Sequence, residues 1–277
     1  MMLRTIIERL YELPAESIDR DDALKVVAEL KAHLNSGNIR AASPSGGGWQ
    51  VHPWVKKGII LAFRVGRLAD FSPGGPFWYF DKDTMSTRAL TADDEVRVVP
   101  GGSAVRDGAF LGKGVVVMPP SYVNIGAWVD AGTMIDSHVL VGSCAQVGKR
   151  VHLSAGTQIG GVLEPVNSSP VIIEDDVFVG GNCGIYEGAL VRRGAVLGSG
   201  VILTGSTPVY DIPRQTIYRR TADAPLTIPG DAVVLAGNRK LDDPFAAGHG
   251  LSLYTPVIVK YRDARTDAAT ALEESLR

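Results

Sequence analysis

Aliphatic residues recur at every sixth position through the middle of this chain. From Val105 they run through Leu111, Val117, Val123, Val129, Ile135, Val141, Val147, Leu153 and Ile159. The residue four places after each is also small or aliphatic: Ala109, Val115, Ser121, Ala127, Thr133, Val139, Ala145, Val151, Thr157, Leu163. A second run follows from Ile173 through Val179, Ile185, Val191, Leu197, Leu203 and Val209. A period of six fits neither a helix at 3.6 nor a free strand at 2. It suits a chain that makes a short strand, turns a corner and repeats, three sides closing a triangular coil of about 18 residues. Glycine falls just after the aliphatic position or three places after it, where a corner needs backbone angles that a Cβ penalises. At roughly 4.8 Å per coil, the two runs predict a prism of between five and six coils, about 25 Å tall.

The two runs are out of phase. Ile159 and Ile173 are fourteen residues apart, two more than two hexads. The segment 162–171 is therefore expected to leave the coil as an exposed loop, with Glu164-Pro165 and Asn167-Ser168-Ser169-Pro170 as its turn signals. Loops ejected from a repeat array often build a binding face, so this one is a candidate wall of an active site.

Around the repeats the pattern changes. Residues 2–13 and about 21–35 show helical periodicity, the second with a Leu24, Val27, Leu30, Leu34 stripe, Asp21 and Asp22 in its first turn and Gly37 past its end. Ser43-Pro44-Ser45-Gly46-Gly47-Gly48 is a break, and Ile59–Phe63 reads equally as a buried helix or a strand. Beyond Val209, the segments Thr216–Arg219, Ala232–Ala236 and Ser252–Tyr261 read as strands and Ala264–Leu276 as a short helix. The expected division is a mostly helical region at 1–95, the repeat prism at 96–213 and a capping region of strands and helix at 214–277. Caps are needed because the ends of a prism expose strand edges.

Composition narrows the function. Of 277 residues, 45% are hydrophobic and 21% charged, with a net charge of −2. No Lys/Arg block suggests nucleic acid, and no apolar run is long enough to cross a bilayer. Cys144 and Cys183 are too few for a disulfide framework, which suggests a reducing, cytoplasmic setting. Both cysteines read as filler of the coil interior.

Polar residues that interrupt the repeat are the informative ones. Asp130 and Asp136 follow the aliphatic position on adjacent sides, and Glu187 lies in Ile185-Tyr186-Glu187-Gly188. A carboxylate on a rigid coil, once desolvated by a neighbour, can act as a general base. His138 and His152 also lie in the repeats, but a zinc site of the three-histidine kind needs one more, so no metal is expected.

Longer strings go beyond the hexad rule. Arg97-Val98-Val99-Pro100, Met118-Pro119-Pro120-Ser121-Tyr122-Val123-Asn124-Ile125-Gly126-Ala127, Thr133-Met134-Ile135-Asp136, Val141-Gly142-Ser143-Cys144-Ala145-Gln146-Val147-Gly148 and Ile159-Gly160-Gly161-Val162-Leu163-Glu164-Pro165 resemble the tetrahydrodipicolinate N-succinyltransferase family, over nearly the whole chain. The resemblance implies a left-handed parallel β-helix and a homotrimer with active sites between subunits. It also implies succinyl-CoA as co-substrate, no permanently bound cofactor, and a place in lysine and diaminopimelate biosynthesis. Carried over residue by residue, it puts Arg97 and Asp136 on the dicarboxylate acceptor, with Asp136 as a catalytic carboxylate. Where some relatives carry a catalytic glutamate this chain has Gly184, and Glu187 is the nearest carboxylate on that stretch. For CoA, the open Gly205-Ser206-Thr207 segment and a cation such as Lys260 or Arg239 are the candidates. The residues alone leave acetyl-CoA as an alternative donor.

Overall fold

A computed structural model describes residues 2–263, and in it the hexads close into a three-sided parallel β-helix. The expected helix Ala264–Leu276 lies outside the described residues. Each hexad supplies a two-residue strand whose first side chain points outward and whose second points in, where Val129, Ile135 and Val141 are fully buried. Val129 is flanked by Leu111 and Val147, each eighteen residues away. Face one stacks Phe110–Leu111, Trp128–Val129, Gln146–Val147, Ile172–Ile173, Leu190–Val191 and Thr227–Ile228. Face two runs from Arg97–Val98 through Val116–Val117, Met134–Ile135, His152–Leu153, Phe178–Val179 and Val196–Leu197 into the C-terminal strands. Face three runs from Ala104–Val105 to Ile202–Leu203.

The residue three places past the inward position takes a left-handed backbone at most corners. Glycine does this at Gly114 (φ +72°), Gly132 (+69°) and Gly156 (+74°). His138, Cys144, Arg150, Asp176 and Asn182 do so with a side chain attached, at φ between +53° and +65°. The repeat is thus set more by its apolar column than by glycine.

Three expectations about the path of the coil need correction. The step from Ile159 leads directly to the next face at Ile173, so fourteen residues are one hexad plus eight, and the loop is an eight-residue insertion. Leu163 accordingly leaves the coil interior with the loop and packs on the helical region. Val209 also fails to take its place in the second run: Val191 pairs instead with Ile228. The preceding Pro208 occupies the outward position of that would-be strand and has no N–H to carry another rung. The chain leaves as Val209–Asp211, pairs with Thr216–Tyr218 and Ser252–Tyr261, and re-enters the stack at Thr227–Ile228. Ala232–Lys240 then closes face two and pairs antiparallel with Ser252–Tyr261, with a short helix, Pro244–Gly248, at the tip.

The N-terminal region packs helices α1 (Met2–Glu12), α2 (Arg20–Asn35) and α3 (Pro53–Val65) around Ile7, Val27, Leu30 and Ile59. The ambiguous Ile59–Phe63 run is therefore helical. Asp19 caps α2 by accepting from the Asp22 amide at 3.0 Å. Two hairpins, Ala42–Ser45 with Gly48–Val51 and Leu68–Asp70 with Phe80–Lys82, complete the region. The same apolar core takes in Ile125 and Cys144 from the coil, so Cys144 packs outside the prism against the helices. Only Cys183 fills the coil interior as expected. Burial pushes the Cys144 thiol up to about 12, so it stays protonated at neutral pH.

Lys56 of α3 is completely buried and donates from Nζ to the Ser168 carbonyl at 2.7 Å, tying the ejected loop to the helices. Burial lowers its pKa from the ordinary 10.5. Between that lowered value and 10.5 this group binds more protons in the unfolded chain than in the folded one, so its contribution to stability rises with pH across the window. The raised Cys144 thiol acts in the opposite sense above its ordinary 9.0, so the Lys56 effect is read as a difference: in urea unfolding across alkaline pH, the slope of stability against pH should be more positive in the native chain than in Lys56→Met. Equal slopes in the two proteins would contradict the account.

Candidate active site

Arg97 begins face two, and its register is continuous with the rungs above: Arg97 pairs with Val116, and Val116 with Met134. Its side chain is therefore on the outward side, exposed, two rungs from the Met134 strand. Asp136 ends that strand at the corner and is half-buried. Two rung spacings and two residues along the strand separate the Cα atoms by about 12 Å. The Asp136 backbone is fixed on both sides, its amide donating to the Leu153 carbonyl at 2.9 Å and its carbonyl accepting from Ser121 Oγ at 2.7 Å. Oδ1 accepts from the Ser137 amide at 2.7 Å, and Oδ2 has no hydrogen-bond partner among the described residues. One oxygen is thus pinned and the other is presented. His138, two residues on, is exposed, and its carbonyl accepts from Gln158 Nε2 at 3.3 Å. His152, the next rung above Met134, is buried and stacks on Phe178 with ring centroids 4.9 Å apart. Above Asp136, the same corner carries only small residues, Ser154, Gly180 and Gly198, a small-residue track that ends at Leu235, whose Cδ2 would lie 2.6 Å from a Cβ at Gly198.

Glu187 and Gly205 form a separate pair at the corner between faces three and one, eighteen residues apart. Glu187 Oε2 accepts the Gly205 amide at 2.8 Å, and Ser206 Oγ lies 3.2 Å from Thr204 Oγ1. One chain therefore brings Arg97 together with Asp136, and Glu187 together with Gly205, but places the two pairs at different corners. Lys260 lies opposite Val233, at the far end of the face that begins with Arg97, with its ammonium 3.1 Å from Asp263. Arg239 projects on the same C-terminal ribbon, opposite Leu253, with Nε buried and without a hydrogen-bond partner among the described residues.

The ejected loop does wall a cleft, of about 1050 Å³, shared with Gly160, Tyr186, Glu187, Arg192 and Arg220. Arg97 and Asp136 are not among its lining residues. Sequence reasoning missed Tyr186. A Cβ at Gly184 would fall 2.4 Å from Tyr186 Cε2 and 2.8 Å from its hydroxyl, so the ring lies in the place a residue-184 side chain would take. The signal was available: among the described two-residue coil strands, Gly184 is the only glycine at the outward position. Among the described residues, no group of three His, Cys, Asp or Glu side chains is placed to hold a metal, and no helix is long and apolar enough to cross a membrane.

The stacked hexads define the chain as a hexapeptide-repeat protein, and a model of the hexapeptide repeat of succinyl-transferase matches residues 170–205. A second model, of the tetrahydrodipicolinate N-succinyltransferase N-terminal region, matches residues 2–65. The 2,3,4,5-tetrahydropyridine-2,6-dicarboxylate N-succinyltransferase of Polynucleobacter asymbioticus is 43% identical, over 99% of this chain and 98% of its own length. The enzyme of the same name from Acinetobacter baylyi is 41% identical over the same shares. The chain belongs to the tetrahydrodipicolinate N-succinyltransferase family. A crystal structure from Campylobacter jejuni, assigned as a 2,3,4,5-tetrahydropyridine-2-carboxylate N-succinyltransferase, aligns with a TM-score of 0.50 at 16% identity. It covers 84% of this chain, which spans 62% of that one, and this likeness speaks to the fold alone.

Proposed function

We propose that the chain transfers a succinyl group from succinyl-CoA to the amine of ring-opened tetrahydrodipicolinate, in lysine and diaminopimelate biosynthesis. The full-length similarity to enzymes of that name carries this reading. Arg97 supplies a planar fork that matches a carboxylate bidentately, and the acceptor carries two. Asp136 offers its unpartnered oxygen to the acceptor amine. The nitrogen attacks the thioester carbonyl, the C–S bond breaks, CoA leaves as thiolate, and Asp136 takes the proton the nitrogen sheds as the amide forms. The thiolate is reprotonated from solvent.

In this reading the pantetheine arm follows the small-residue track past Ser154, Gly180 and Gly198. Gly205 and Ser206, with Lys260, serve the CoA of a neighbouring site, and Glu187 contributes from its own corner to a site shared between protomers. That arrangement calls for a homotrimer, in which the open face two of one subunit meets the next. We place the enzyme in the cytoplasm, in keeping with two buried, unpaired cysteines, with succinyl-CoA as co-substrate and no resident cofactor.

The test is a donor comparison with tetrahydrodipicolinate as acceptor, followed by thiol release. A site shaped around the succinyl carboxylate should favour succinyl-CoA over acetyl-CoA by about 100-fold or more in kcat/KM. Equal rates, or a preference for acetyl-CoA, would overturn the succinyl reading.

A further inference from the structure

The glycine-rich break of the sequence is the tip of the Ala42–Ser45/Gly48–Val51 hairpin, which leans over face one and closes a cleft of about 560 Å³. Arg97 and Asp136 do not line it, so the proposed acyl transfer leaves it unexplained. Arg40 reaches this cleft with its guanidinium carbon 4.0 Å from the Trp128 ring centroid and 5.2 Å from that of Trp49. Its Nε donates to Gln146 Oε1 at 2.8 Å. Gln146 is fully buried and held in turn by donating to the Cys144 and Ala145 carbonyls. The fork is thus fixed in plane and in rotation. Its two Nη groups have no hydrogen-bond partner among the described residues. Burial pushes the Arg40 pKa down to about 10, against the pull of Asp130 and Asp175, so the group remains charged at neutral pH and incompletely compensated.

The charges around the cleft sort into spent and available ones. Glu174 is engaged by Arg192 at 2.8 Å and Trp49 Nε1 at 3.0 Å, and Arg193 by Asp176 at 2.8 Å. Lys149, exposed on the rim, makes no ion pair among the described residues. Asp130 accepts from the Ala131 amide and, at 3.3 Å, from Trp128 Nε1. Asp175 accepts the Lys149 amide through Oδ1 only. Two cations, Arg40 and Lys149, therefore face two carboxylates, Asp130 and Asp175. A simple anion drawn to the fork meets the carboxylates, and a simple cation meets Arg40 and Lys149. A molecule bearing both charges satisfies both sides. The Gly46 and Gly47 tip leaves open space where side chains would stand, so the mouth is unobstructed.

We propose that this cleft binds an α-amino acid as its zwitterion, the carboxylate in the Arg40 fork and the ammonium against Asp130 and Asp175. The site is independent of the acyl-transfer reading, since binding is read without turnover.

Calorimetry on the full chain tests it with L-alanine, L-leucine, L-lysine and L-glutamate, beside acetate, ethylammonium and inorganic phosphate. At least one amino acid should bind once per chain, about tenfold or more tighter than any of the three controls. Arg40→Lys, which keeps the charge but loses the fork, should weaken it about tenfold. Asp130→Asn should erase the preference over acetate. Arg97→Ala should leave the binding unchanged, which separates this cleft from the proposed acceptor site. The proposal fails if no amino acid binds at about 10 mM. It fails equally if acetate or phosphate binds as well as the best amino acid, or if affinity is unaltered in both Arg40→Lys and Asp130→Asn or lost in Arg97→Ala.

Discussion

Deleting the single residue Ala131 should abolish cooperative folding, whereas deleting the eight residues 162–169 together with Pro170→Gly should leave the prism intact. Ala131 sits at a corner between Val129 and Ile135, and removing it slips every hexad from there to the ejected loop by one position. Because side chains alternate faces, that slip turns Ile135, Val141, Val147, Leu153 and Ile159 outward. All five are fully buried. At about 1.5–3 kcal/mol each, their burial is worth on the order of 8–15 kcal/mol, comparable with the net stability of a typical protein at about 5–15 kcal/mol.

The eight-residue deletion restores a six-residue step from Ile159 to Ile173. It puts residue 170 three places past the inward residue, where Gly126 and Cys144 hold φ of +76° and +65° two coils and one coil below, so Pro170→Gly supplies the left-handed backbone that proline cannot; Val171 keeps the inward fourth position it already fills. What it removes is the anchorage of Leu163 and the acceptor for Lys56 Nζ, at a cost of about 1–3 kcal/mol. Thermal unfolding followed by circular dichroism distinguishes the two: a sigmoidal melt, lowered in temperature, for the longer deletion and none for the shorter. The reverse outcome would show that the six-residue phase does not set the fold.

The second large effect concerns Asp136. Asp136→Asn should lower kcat by about 10²–10⁴ with little change in stability. Its structural tasks are backbone ones, to Leu153 and Ser121, and its side chain only accepts the Ser137 amide, which an asparagine oxygen can also do. The lost property is the proton-accepting second oxygen. Arg97→Ala should act differently, raising KM for the acceptor, since a carboxylate fork binds ground and transition states alike. A kcat within a few-fold of native for Asp136→Asn, with the melt unchanged, would remove Asp136 from the chemistry.

The prism was legible in the sequence because a hexad is a local rule: the inward residue, its companion and the corner all lie within six positions. Arg97 and Asp136 were legible as family strings, and the register confirms only that they share a face. The failures were long-range. Nothing near Leu203 announces that Ile228 resumes the stack after an excursion, and the missing donor at Pro208 was the one local hint. Cys144 sits beside the inward Ala145, yet its left-handed backbone turns it out into the helical core. The Arg40 cleft joins residues more than a hundred positions apart in sequence, and no period links Trp49, Trp128 and Gln146.

The most direct test of the acyl-transfer site is a crystal structure of the chain with CoA and an unreactive amino-dicarboxylate analogue of the acceptor. One acceptor carboxylate should lie on the Arg97 guanidinium, with the acceptor nitrogen within hydrogen-bond reach of Asp136. The CoA thiol end should lie at the foot of the Ser154–Gly180–Gly198 track. An acceptor analogue seated away from both side chains, such as in the cleft beside Tyr186 and Arg220, would contradict this placement.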